Sequence, residues 1–433
     1  MIKITKRTHD LLDLDAKYIS PSYTRDHYFV ADHGLGSMLY DIEGNRFVDF
    51  TAGIAVNSTG HCHPDVVKAI TKQANKMIHM SGTDFYYESQ IRLAERLAEA
   101  APTGRIKNNV FFCNSGAEAN EAAMKLARYI SVAPTYIAFY GAFHGRTLGA
   151  LSLTSSKTIQ RAAFEPLQVV NHIPYANCAE CPFNAKEENC VKSGSYQCLN
   201  FLTDYVLGKK VDPADVAAVF VEPIQGEGGY IVPPKGWLKA LQKITNDNHI
   251  FLVMDEVQAG MGRTGKLFAC ENFGVQPDMI TVAKGIASGM PLGALISFIM
   301  EWQPGTHAST FGGNPISCAA ALATLDIIEK KSTMDNVKAR GKQINAALEE
   351  LGHDNEHIVR PRGLGLMRAV DIVNDGKPAP ELRNKIIQNA FKNGLLILGC
   401  GKSGIRFCPP LIIKKEEVDE GMNIFIDAVK ENT

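Results

Sequence analysis

Between residues 105 and 300 the chain alternates short apolar runs with helical patterns, and this alternation restricts the fold more than any other feature. The runs lie at 110–113, 136–140, 216–221, 250–254, 279–283 and 294–300. Short continuous apolar strands separated by helical stretches belong to an α/β fold. Its central sheet is mostly parallel and has helices on both faces. The helix after the first run is the plainest, because Ala119, Ala122, Ala123, Leu126, Ala127 and Ile130 recur at three- and four-residue spacing. One face of that helix is therefore apolar.

Beyond residue 310 the pattern changes. Helical stretches at 316–330, 380–393 and 416–430 surround strand-like runs at 364–373, 395–398 and 405–408. Pro380 suits a first helical turn and Gly394 a C-terminal cap. The expectation is a large domain over 61–310 and a smaller α+β domain over 311–433. The first 60 residues carry turn signals at Gly34, Gly36 and Gly44 and are expected to pack with the small domain. Residues 174–198 read as a cysteine-containing excursion from the sheet.

Composition removes several classes of function. The chain has 433 residues, with 45 Lys and Arg against 46 Asp and Glu, a net charge of −1 that gives no general footprint for nucleic acid. Its longest apolar stretches, such as 294–300, fall far short of the roughly 20 residues a membrane span needs. The N-terminal residues carry charges every few positions and show no apolar signal core. A cytoplasmic enzyme without nucleic-acid or membrane partners is expected.

The chemistry sits at one edge. Asn114 and Ser115, Glu222, Asp255 and Lys284 each follow an apolar run, so all lie at carboxyl ends of strands, where open α/β sheets bind ligands. The segment from Asn114 to Asn120 joins a strand to a helix through small residues. It reads either as an anion site at a helix start or as a plain capping box of Ser115 and Glu118. An aspartate facing a lysine, with an anion site nearby, matches what pyridoxal phosphate requires. That cofactor takes a lysine for its Schiff base, an acid for its ring nitrogen and a cradle for its phosphate. Lys284 serves as a base only if desolvation, a cationic neighbour or its bound state lowers its pKa. The near P-loop from Gly260 to Lys266 places Leu267 where a magnesium-binding Ser or Thr belongs, which argues against a nucleotide hydrolase.

Taken in order, the motifs AGIAVNSTGHCHP (52–64), NSGAEANE (114–121), GAFHGRT (141–147), EPIQGEGG (222–229), DEVQAGMGRTGK (255–266), AKG (283–285), STFGGNP (309–315) and IRFCPP (405–410) resemble one family. It is the class III (subgroup II, ω-amino acid) aminotransferases of the type I pyridoxal-phosphate fold, most like the 4-aminobutyrate enzymes. The resemblance implies that Lys284 bonds to the cofactor aldehyde and shuttles a proton, while Asp255 pairs with the ring nitrogen. It implies that Val257 and Phe143 sandwich the ring, that Gln258 meets its phenolic oxygen, and that Ser115, Gly116 and Ala117 cradle the phosphate. His144 and Glu222 fall among the implied cofactor-binding positions. Thr310 would reach the phosphate of a neighbouring subunit, which makes a homodimer or higher homo-oligomer necessary. Arg406 would grip an α-carboxylate, Glu227 would pair with Arg406 when an ω-amine is bound, and Arg146 would contact a distal carboxylate. Pocket size would depend on side chains near Ile54 and Tyr86.

The expected reaction moves an amino group from a 4-aminobutyrate-like donor to 2-oxoglutarate. One alternative is an amino-acid racemase or 2-epimerase on the same scaffold, in which an Asp would stand at the Glu227 position. Acetylornithine or ornithine transamination is a further option. Cys178, Cys181, Cys190 and Cys198 are spaced C-x2-C-x8-C-x7-C, enough thiolates for a structural zinc or for disulfides, although reduced packing cysteines are the favoured reading. His61 and His63 read as structural. Cys62, Cys113, Cys270, Cys318, Cys400 and Cys408 stand singly in apolar contexts and read as core.

Overall fold

The computed structural model describes residues 2–25, 27–104 and 107–433. Seven strands form the central sheet in the spatial order Asn109–Cys113, Gly293–Ser297, Met279–Val282, Phe251–Asp255, Val216–Val221, Thr135–Phe139 and Val170–Ile173. Only Gly293–Ser297 runs antiparallel to its neighbours, so the other six share one carboxyl edge.

The unbroken apolar runs follow from burial on both faces. Tyr136, Phe220, Val253 and Leu295 pack with Ala123, Leu126 and Ala127 of the helix Gly116–Ser131. The alternate residues Ile137, Val219, Val221, Leu252 and Met254 join a second cluster with Trp237 and Leu241 of the helix Trp237–Asp247. Each buried side chain of this size contributes roughly 1.5–3 kcal/mol. The sheet is therefore fixed from both sides, and its edge residues inherit that rigidity.

Among the described residues, two smaller sheets accompany the central one. Ala31–Leu35, Met38–Asp41 and Arg46–Asp49 form an antiparallel meander, and Leu395–Leu396 then pairs parallel with Arg46–Asp49. A further sheet is built from Ile358–Leu364, Met367–Asn374, Gly404–Phe407 and Leu398–Cys400, with Lys377–Pro378 at its side.

Three departures from the sequence reading stand out. The run at 364–373 is not one strand: Leu364 ends the strand Ile358–Leu364, Gly365 at φ 54° turns the chain, and Met367–Asn374 pairs back on it. The edge strand Val170–Ile173 has no counterpart among the expected runs. Neither does the 24-residue helix Lys331–Asp354, which buries Val337, Gly341, Ile344, Leu348 and Leu351. Gly341 is obligatory there, since a Cβ would stand 2.1 Å from the carbonyl oxygen of Gly365. Among the described residues no helix is long and apolar enough to cross a membrane.

Candidate active site

The four strand-end groups converge. Ser115, Glu222, Asp255 and Lys284 line one cavity of about 430 Å³, together with Gly116, Ala117, Phe143, His144, Arg146, Val257 and Gln258. Asp255 closes its strand and is almost fully buried. Its Oδ1 accepts the Val257 amide at 2.9 Å, and its Oδ2 accepts from Asn120 Nδ2 at 2.8 Å and meets His144 Nδ1 at 2.7 Å. Asn120 also donates to the His144 carbonyl at 2.7 Å and accepts from the Thr281 hydroxyl at 2.9 Å. A buried carboxylate is tolerable only with such partners. Burial opposes a charge on His144, but the hydrogen bond and charge of Asp255 outweigh it and raise the imidazole pKa.

Lys284 lies just past its strand with φ 45°, a left-handed backbone that a β-branched or long side chain adopts only under constraint. The residue keeps some exposure because it lines the open cavity, whereas its amine is enclosed by protein. That enclosure lowers its pKa, with Arg406 acting in the same sense and Asp255, Glu222 and Glu227 opposing.

Capping and cradle, alternatives in the sequence, coexist. Ser115 Oγ accepts the Glu118 amide at 3.2 Å, and Glu118 Oε2 accepts the Asn114 amide at 2.7 Å. The first-turn amides of a helix have no intrahelical partner, and Gly116 and Ala117 of that turn line the cavity. A Cβ on Gly116 would fall 2.7 Å from Val257 Cγ1, so only glycine lets the helix start approach this wall.

Several of the expected cofactor and substrate residues also have protein partners. Glu222 accepts the amides of Phe143 at 3.1 Å and Gly226 at 2.8 Å, and burial pushes it up to about 7, eased by His144 and reinforced by Asp255. Gln258 Oε1 accepts the Tyr230 hydroxyl at 2.9 Å, which leaves its amide nitrogen as the free donor end. Arg146 is exposed, its guanidinium 5.7 Å from the Phe143 ring centre.

A second carboxylate stands near Lys284. Glu227 Oε2 accepts from Arg406 Nη1 at 3.2 Å, and Glu227 Oε1 accepts from Lys157 Nζ at 2.7 Å. Burial alone would raise the Glu227 pKa; Arg406, Lys157 and Lys284 together hold it below the usual range. Sequence reasoning missed Lys157, Asn120 and Tyr230.

Of the predicted site residues, Ile54, Glu227, Thr310 and Arg406 are not among those lining this cavity. Thr310 is exposed on its own chain. Ile54 lies in a turn, residues 52–55, whose φ angles are 46°, 61°, 67° and 61°. Left-handed backbone costs about 1–2 kcal/mol per non-glycine residue. Asp49 holds the turn: its Oδ1 accepts the Thr51 amide and hydroxyl, each at 2.7 Å, and the Ala52 amide at 3.0 Å. His61 Nε2 meets the other Asp49 oxygen at 2.7 Å, and His63 caps the helix Pro64–Lys76, so both histidines are structural. Val56, just after the turn, lines the cavity.

Cys178, Cys181, Cys190 and Cys198 line a separate void of about 20 Å³ as free thiols. Among the described residues no group of three or more His, Cys, Asp or Glu is placed to hold a metal ion. The Trp237 indole donates to Cys198 Sγ at 3.2 Å. Cys62, expected in the core, is exposed. In the P-loop lookalike, buried Arg263 donates to the carbonyls of Leu366 and Pro409, so the segment braces the C-terminal strands.

Comparison with known proteins agrees with this edge. The family model described as aminotransferase class-III matches residues 18–429. The chain belongs to the class III aminotransferases. An acetylornithine aminotransferase of Methanothermobacter thermautotrophicus is 38% identical over 96% of this chain and 97% of its own length. An alanine/serine racemase of Pyrococcus horikoshii is 40% identical over 98% of this chain and 91% of its own. The ornithine aminotransferase of Toxoplasma gondii, in a structure with pyridoxal phosphate at partial occupancy, superposes with a TM-score of 0.83 at 30% identity, covering 99% and 96% of the two chains.

Class III aminotransferases depend on pyridoxal phosphate, and the cavity of this one suits it. The Gly116 cradle, the buried carboxylate of Asp255 and the enclosed amine of Lys284 are the parts such a cofactor needs.

Proposed function

We propose that this chain transfers an amino group from an acetylornithine- or ornithine-like donor to 2-oxoglutarate in two half-reactions. The Glu227–Arg406 pair, at 3.2 Å and close enough to influence the Lys284 amine, is the observation that carries the reading. A guanidinium fork binds a carboxylate bidentately, and one already paired to a movable glutamate can be offered or withdrawn. Such a site accepts an ω-amine with the pair closed and an α-amino acid with it open. The 4-aminobutyrate donor suggested by the motifs has less support, since several of the similar enzymes are named acetylornithine aminotransferases.

Bound pyridoxal phosphate would supply a sink for the electrons released when a Cα–H bond breaks. Asp255 would hold the positive ring nitrogen, and His144 and Asn120 keep that carboxylate fixed. Phe143 and Val257 would confine the ring, Gln258 would donate to its oxygen, and Ser115, Gly116 and Ala117 would hold its phosphate. Lys284 Nζ, with its lowered pKa, would take the proton from substrate Cα and return one. Arg146, exposed at the cavity wall, would meet the distal end of the donor. Thr310 points to a second copy of the chain as the source of a further phosphate contact, and a homodimer is part of the proposal.

Racemisation is the second reading, favoured by the 40% identity to the alanine/serine racemase. Glu227 argues for transamination. Incubation with L-glutamate, N-acetylornithine or L-alanine, with and without 2-oxoglutarate, separates the two. Keto-acid-dependent amino transfer is expected, and D-amino acid formed without any keto acid would overturn it.

A further inference from the structure

Glu227 is held from two sides by cations of different character. Arg406 is nearly enclosed, with 6% of its side chain exposed, and touches Glu227 Oε2; Lys157 is 48% exposed and touches Glu227 Oε1. Glu227 itself is only 18% exposed, and its backbone carbonyl is fixed by the Gly401 amide at 2.9 Å. The two cations use separate oxygens, so either contact can break while the other persists. Lys157 stands at the start of the short turn Thr158–Gln160 and lines a second cleft of about 810 Å³, with Gly228 and Gly229 beside it. Its ammonium can therefore follow a moving carboxylate without being stripped of water.

This matters when Arg406 turns to a substrate. A mostly buried carboxylate that loses its only partner is costly, and that cost would count against every carboxylate Arg406 tries to grip. We infer that Lys157 is a positioning residue that retains Glu227 while Arg406 is engaged, and so sets how readily the site admits a dicarboxylate. The inference rests on the proposed role of Arg406. The effect of Lys157 lies in the balance between two ways of holding Glu227.

Glutarate, an unreactive dicarboxylate, is titrated calorimetrically into the holoenzyme. Lys157→Met should weaken its binding about tenfold, Lys157→Arg should restore it, and the half-reaction of an ω-amine should change little. In a Glu227→Gln background Lys157→Met should have no effect, because no charge remains to be retained. Unchanged glutarate affinity in Lys157→Met would overturn the inference. So would a loss that persists undiminished beside Glu227→Gln, which would make Lys157 a direct ligand. Arg406→Lys distinguishes the underlying reading: wild-type glutarate affinity in that variant would remove the clamp and this inference together. Weak binding in Arg406→Lys beside an indifferent Lys157→Met would remove this inference alone.

Discussion

At the Asp255 end of the cavity a carboxylate is gripped by three groups at 2.7–2.9 Å, each fixed by burial or backbone. At Glu227, outside the lining of that cavity, a carboxylate is divided between an enclosed arginine at 3.2 Å and a half-exposed lysine at 2.7 Å. Both are acids near the same amine, yet one is held by two buried side chains and a backbone amide and the other is shared by a buried and a half-exposed cation. A charge that must stabilise the same atom throughout a reaction belongs on the rigid sheet edge. A charge that must yield to different substrates belongs where partners can exchange.

The comparison can be broken most sharply at the amine between them. Lys284→Ala should lower turnover by about 10⁴-fold and abolish covalent retention of pyridoxal phosphate, with near-wild-type circular dichroism. Retention of activity would mean that neither carboxylate is aimed at the reacting group. Asp255→Asn keeps the shape of the rigid end and removes its charge. It should cost about 10²–10³-fold in kcat for α- and ω-amino donors alike, measured as separate half-reactions. A loss confined to one donor class would show that this end, too, discriminates between substrates. The smallest effect lies in pH. Burial lowers the Lys284 pKa, and only the unprotonated amine attacks an aldehyde. The rate at which cofactor-free protein gains absorbance with pyridoxal phosphate should therefore rise with pH, with an inflection below the ordinary lysine value of 10.5. An inflection at the ordinary value would mean that the amine is solvated.

The sheet was legible because burial on both faces writes itself as unbroken apolar runs, such as Val216–Val221, where every residue is buried. Val170–Ile173 escaped because an edge strand of four residues, two of them Asn171 and His172, carries no such run. The helix Lys331–Asp354 did leave a signal at 337, 341, 344, 348 and 351, but one of those positions is a glycine and its remaining faces are charged. In the site, Lys284 and Asp255 could be read because strand ends announce them. Lys157 could not: it meets Glu227 across 70 residues, and nothing local marks a lysine in a polar stretch as a partner. Asn120 was visible as a polar residue beside alanines, but its role depends on Asp255, which lies 135 residues away.

The strand Arg46–Asp49 finds its parallel neighbour at Leu395–Leu396, with Val48 opposite Leu395 and Asp49 opposite Leu396. During synthesis the early meander therefore waits for nearly the whole polypeptide to emerge before its last edge is covered. Until then Phe47, destined to stack on Phe391, stays open to solvent or to a chaperone. Asp49, anchor of the left-handed turn beside the cavity, belongs to the early strand that waits for this late partner. Completion of the catalytic wall is thus tied to the final stage of chain production.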